Sequence, residues 1–327
     1  MISSATRPSR NRPVPATAQI LATAVVAIGL SSAASSAGAA DARPTGAANT
    51  LELRAVGMRF EGPHEIPSGW VTIRFDNLSG MIHFAMIDRL PEGVTVDMMA
   101  REVAAPFQHG MDYLNAGDPD AAGQAFGTLP EWMGDVVYLG GPGLLAAGRS
   151  ASATVHLEPG HYMLECYVKT NGIFHTYNPQ PGQLGMVHEL IVTDAPGGAP
   201  EPEADVTLAV SSAGFELLDG EFRPGRNTIR VKFRDQQIYA NFVGHDAHVF
   251  RIEEDTDLDA VARWMDWRNP EGLETPAPAS FLGGVNDMPA GETTYFSVDL
   301  EPGDYGFNAE VPDPQEHVLL LRFSVEE

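Results

Sequence analysis

The chain has 327 residues with a single cysteine, and its 44 acidic side chains against 20 basic ones give a formal charge of −24. That balance excludes nucleic acid as a partner, and one cysteine excludes a disulfide framework. The length suits two domains of ordinary size.

In chain order, residues 1–40 read as a secretory signal peptide. Arg7, Arg10 and Arg12 precede an apolar run from Ala16 to Leu30, and small residues follow to Ala37-Gly38-Ala39. Cleavage would place the mature protein in the periplasm or outside the cell and leave no transmembrane segment. It would also lower the basic count to 17 against 44 acidic residues, a charge of −27. The plainer reading of that charge is a hydrated surface suited to a salty medium. The sharper reading is a surface that steers a basic redox partner protein.

Short alternating runs then predict strands over Leu51 to Val56, Trp70 to Asp76 and Ile82 to Ile87, the last containing His83. Thr95 caps a helical insertion, Val96 to Ala105, which Pro106 is expected to end. The stretch 110–134 matches no element. Strands resume over Asp135 to Leu139 and Ser152 to Leu157. After the turn Glu158-Pro159-Gly160, Tyr162, Leu164 and Cys166 share one strand face, while His161 and Tyr167 fall on the other. Beyond a loop carrying His175, Met186, Leu190 and Val192 share a second such face. His64, His109 and His156 read as surface residues. A thiol, an imidazole and a thioether around one loop are the soft and borderline donors that copper selects.

A Pro/Gly-rich linker, residues 195–204, separates 48–194 from 205–327, and beyond it the pattern recurs. Gly140-Gly141, Gly148, Leu157-Glu158-Pro159-Gly160 and Tyr162 return as Gly283-Gly284, Gly291, Leu300-Glu301-Pro302-Gly303 and Tyr305, at a constant offset of 143 residues. The helical insertion returns as Asp257 to Arg268. His83 followed by Ile87 matches His248 followed by Ile252, which makes His248 the expected counterpart of His83. The fold class predicted is all-β: two tandem Greek-key β-sandwich domains, each with a helical insertion.

Residues 48–194 resemble a cupredoxin, the blue-copper sandwich. In that family one His comes from an earlier strand, and Cys, His and usually Met come from the loop between the last two strands. His83, Cys166, His175 and Met186 stand in that order. The spacing from Cys166 to His175 is similar to that of type 1 sites in copper nitrite reductases. Gln180 is an alternative axial ligand, and Phe84 stands where the family commonly has Asn or Ser. The resemblance implies one copper per chain, bound in the first repeat and used for electron transfer. In the second repeat Ala309 falls at the place of Cys166, and His317 has no methionine after it, so that copy is expected to be structural. Glu165 and Tyr167, rather than a His, adjoin Cys166, and the chain has no paired His-x-His motif. An electron carrier or binding protein is therefore expected rather than a catalyst. The alternative is a metal-free or copper-storing secreted interaction protein.

Overall fold

Val71, Ile73 and Phe75 alternate with Thr72 and exposed Arg74, so one face of their strand is buried and the other partly wet. The same period repeats through the computed structural model, which describes residues 49–317 and 319–327. The expected signal peptide lies outside the described residues. Among them, no helix is long and apolar enough to cross a membrane.

The first half contributes β1 (Thr50–Ala55), β2 (Phe60–Glu61), β3 (Glu65–Asn77), β4 (Met86–Arg89), β5 (Val137–Tyr138), β6 (Ser150–Leu157), β7 (Gly160–Glu165), β8 (Lys169–Thr170), β9 (Ile173–Phe174) and β10 (Val187–Pro196). The second contributes β11 (Val206–Ser211), β12 (Gly214–Gly220), β13 (Gly225–Phe233), β14 (Ala247–Ile252), β15 (Ser280–Val285), β16 (Thr293–Leu300), β17 (Gly303–Asn308) and β18 (Leu320–Val325). In the first half, β3 belongs to both sheets. Its Gly69–Asp76 stretch pairs with β6, and Glu65–Ser68 pairs with β10, which carries on to β7, β4 and β5. The second half repeats this as β12-β11-β13-β16 against β15-β14-β17-β18. Both are Greek-key sandwiches around one shared apolar core.

The two halves are joined edge to edge. β16 pairs antiparallel with β6, setting Phe296 opposite Ala153, and Val285 bridges Pro142. Both pairs are 143 residues apart, so equivalent residues meet each other, as across the two-fold axis of an isologous dimer. Thr294 Oγ1 donates to the Thr154 carbonyl at 3.0 Å, which helps to close this seam. At Gly143 a β-carbon would come within 2.6 Å of His248 Nδ1 and 2.8 Å of the Gly284 carbonyl carbon. Gly143→Ala is therefore expected to destabilise the chain by about 1–3 kcal/mol through overpacking, read as a lower urea midpoint.

Three sequence expectations change. Pro106 does not end the helical insertion. A π-helical stretch, Met99–Ala104, follows the single turn α1 (Val96–Met98) and runs without a break into α2 (Ala105–Asn115), so Pro106 sits where the hydrogen-bond register changes rather than at a helix end. The unassigned stretch 110–134 holds the rest of α2, then α3 (Pro119–Phe126) capped by Asp118. His248 is also not the counterpart of His83. Ile87 faces Leu164 and Val249 faces Phe307, so the residue at the place of His83 is His245, while His248 stands at that of Met86. In the second half α4 (Leu258–Trp264) is short and capped by Asp257.

Candidate metal centre

Cys166 immediately follows β7, and its amide bonds to the Met186 carbonyl just before β10. The Met186 amide in turn bonds to the His175 carbonyl, so the two ends of the loop are tied at the residues of interest. His83 lies outside the strand expected for it. It precedes β4 and is held by an antiparallel bridge to Leu145. Inside the loop, Asn171 and Gly172 both have positive φ (55° and 75°) and turn β8 into β9 as a two-residue hairpin.

These elements bring three side chains together, all essentially inaccessible. Cys166 Sγ lies 3.5 Å from His83 Nδ1 and 3.7 Å from His175 Nδ1, and the two Nδ1 atoms are 3.2 Å apart. A point equidistant from all three lies about 2 Å from each, close to the metal–nitrogen and metal–sulfur bond lengths of protein sites. His175 Nε2 is 2.9 Å from Thr170 Oγ1, an outer partner that fixes the ring and leaves Nδ1 facing inward. His83 Nε2 is buried without a hydrogen-bond partner. Met186 is fully buried whereas Gln180 is exposed, so only Met186 is packed within the core that surrounds the three ligands. Phe84 packs edge-on against Tyr167, ring centroids 4.6 Å apart, in place of a polar tie.

Burial sets the protonation of all three. It lowers His83 to about 4 and His175 to about 3, the latter helped by the neighbouring His83, so both imidazoles are neutral at neutral pH. It pushes the Cys166 thiol up to about 12, and Glu165 and Glu310 add to that. The set thus offers two ready imidazole lone pairs and a thiol that yields its proton only to a metal.

The second half is built differently at the same place. The Ala309 amide bonds to the Leu319 carbonyl as the Cys166 amide does to Met186, which puts a methyl and a leucine where the first half has a thiol and a thioether. His245 Nε2 is 3.1 Å from the Tyr239 hydroxyl, and the Tyr239 ring also packs against His317. Asp246, His248 and Glu310 form another buried group of possible ligands. Here the Leu144 amide donates to His248 Nδ1, so His248 Nε2 carries the ring proton and donates to Asp246 Oδ2 at 3.0 Å. That histidine is already satisfied and links the two halves.

Sequence reasoning missed the braces between the loop and the second half. Lys169, fully buried, donates to the carbonyls of Trp267 (2.8 Å), Asn269 (2.9 Å) and Pro270 (3.3 Å). The Glu274 carboxylate accepts from the Asn171 and Gly172 amides, and Thr170 Oγ1 meets Thr275 Oγ1 at 2.9 Å. As one of only two lysines in the chain, Lys169 was the available signal. Lys169→Met is expected to cost about 2–3 kcal/mol by stranding buried carbonyls, measured by urea unfolding.

No family model matches the chain, and no curated protein matches it in sequence. Among solved structures it is similar to auracyanin A, a "blue" copper protein from the green thermophilic photosynthetic bacterium Chloroflexus aurantiacus. The identity is 20%, over 44% of this chain and 98% of that one, with a TM-score of 0.25. It is also similar to a multicopper oxidase (11% identity, 85% of this chain and 88% of that one, TM-score 0.22). A third is the Cu-containing nitrite reductase from Thermus scotoductus (12%, 85% and 61%, TM-score 0.20). An oxidase and a reductase are enzymes, and they match over most of the chain. The expectation that the protein is not a catalyst is withdrawn on that finding.

Proposed function

We propose that the first half binds one copper ion through His83, Cys166 and His175, that Met186 would add a thioether donor, and that the ion would serve one-electron transfer. The observation that carries this reading is the triangle of Sγ and two Nδ1 atoms with a common centre about 2 Å from each, since His2Cys is the donor set of electron-transfer copper sites. Bound there, copper would alternate between Cu(I) and Cu(II). The protein's part is to hold the donors in a dry, rigid cage. The loop ends are tied at Cys166, His175 and Met186, and Lys169 and Glu274 anchor the rest of the loop.

The second half, with Ala309 and Leu319 in the corresponding places, is a structural partner that carries no copper of this kind. The reading includes export to the periplasm or beyond, on the strength of residues 1–40. It also includes a basic redox partner drawn to the acidic surface, whose association is expected to weaken as ionic strength rises.

The test is a visible spectrum of the full chain with stoichiometric Cu(II). The expected result is an intense thiolate-to-copper band, absent from Cys166→Ser. A chain that binds no copper would leave the metal-free interaction protein as the surviving reading. A band that persists in Cys166→Ser would remove Cys166 from the ligand set.

A further inference from the structure

The outer edge of the His175 ring is reached from both halves. Its Nε2 meets Thr170 Oγ1 at 2.9 Å, and that oxygen lies 2.9 Å from Thr275 Oγ1, in the second half, and 3.6 Å from Met81 Sδ. Backbone holds Thr275 in place. Its amide donates to the Lys169 carbonyl at 3.0 Å, and the Lys169 amide donates to the Leu273 carbonyl at 2.7 Å, so residues 273–275 run parallel beside β8. Trp264 Nε1 donates to the Glu274 carbonyl at 2.7 Å and fixes the same segment from α4.

A neutral imidazole carries one ring proton, and a hydroxyl has one hydrogen to give. For His175 to offer a lone pair at Nδ1, its proton must sit on Nε2 and be donated to Thr170 Oγ1. Thr170 must then give its own hydrogen elsewhere. Met81 offers a weakly accepting sulfur, whereas Thr275 offers an oxygen at ordinary hydrogen-bond distance. Without that oxygen the Thr170 hydrogen is free to turn to Nε2, which sends the ring proton to Nδ1, inside the donor triangle. We propose that Thr275 is a positioning residue for the metal centre: as acceptor it ends the chain His175–Thr170–Thr275 and so keeps Nδ1 bare. The second half then acts on a ligand of the first half through Thr170. This role rests on the copper reading for its purpose, while the hydrogen-bond chain itself needs no metal.

The test compares the full chain with Thr275→Val, which keeps the shape and loses the hydroxyl, and Thr275→Ser, which keeps the hydroxyl. Two quantities are read at one neutral pH: the affinity for Cu(II), and the tautomer of His175 in the metal-free chain by nitrogen NMR. Direct outer partners of ligand histidines are worth about 10- to 100-fold in metal affinity, so Thr275→Val, one bond further out, is expected to weaken Cu(II) binding about tenfold. In that variant a large share of His175 should carry its proton on Nδ1. In the unaltered chain and in Thr275→Ser the proton should stay on Nε2, with equal affinities. Thr170→Val, which removes the link itself, should shift both quantities at least as far. An unchanged tautomer in the two valine variants would overturn the proposal even if affinity fell, because a merely structural brace lowers affinity alone. A serine variant that behaves like valine, or a changed tautomer with unchanged affinity, would overturn it too. If the unaltered chain binds no copper, the copper reading fails, and the tautomer alone decides whether Thr275 sets the ring.

Discussion

Between pH 6.5 and pH 8 the metal-free protein is expected to become less stable. Burial first, then Asp287, raises Glu165 from 4.5 to about 8, and burial first, then Asp246, raises Asp287 from 3.8 to about 7. Asp88 and Glu310 are pushed well up by burial and by the same neighbours. A carboxyl whose folded pKa lies above its unfolded value contributes stability that is whole below the unfolded pKa and gone once pH has risen through the folded one. Each proton that the folded state retains and the unfolded state has lost costs about 1.4 kcal/mol per pH unit. His83 and His175 act with the opposite sign, because their folded values lie below 6.5, but their effect is confined to pH below that value. The window from 6.5 to 8 lies above both imidazoles, and Lys169, which burial lowers to about 8, opposes the carboxyls only at its upper end. Urea unfolding at the two pH values should give a clearly smaller stability at pH 8. Glu165→Gln and Asp287→Asn should each flatten the difference. Stability that is constant or rising across the window would show that these carboxyls already have counter-charges.

The affinity for Cu(II) is expected to rise about tenfold per pH unit between pH 6 and pH 8, as one thiol proton is displaced per ion. The reason is the thiol of Cys166, held near 12 by burial while both imidazoles are already neutral. Titrating the metal in buffers of different ionisation enthalpy would count the proton. In Cys166→Ser that proton and its pH slope should vanish together. A slope of zero in the unaltered chain would mean that Cys166 is not a ligand.

The strands that frame the centre were legible because each alternates: Val71, Ile73 and Phe75 in β3, and Tyr162 and Leu164 leading to Cys166 after β7. Equal spacing between the copies was legible too, since Ser150–Leu157 and Thr293–Leu300 are both strands 143 residues apart. The counterpart of His83 was not. His-x3-Ile occurs in both halves, but sheet register follows hydrogen bonds rather than residue identity, and it selects His245. Pro106 misled for a related reason, because the cost of proline depends on where it falls in a turn and the π-helical stretch before it moves that place. The buried carboxylates were invisible in the sequence. Asp88, Glu165, Asp287 and Glu310 look like any other members of an acidic surface until packing removes them from water. Asn171-Gly172, by contrast, is a hairpin signal that the sequence does carry, and reading it would have shown that the loop after Cys166 has strands of its own.

X-ray absorption at the copper edge, on the full chain loaded with excess Cu(II) and desalted, bears most directly on the central claim. One copper per chain, with one sulfur and two imidazole nitrogens in its shortest shell, is the predicted result. A shell of nitrogen and oxygen alone, or two coppers per chain, would contradict it.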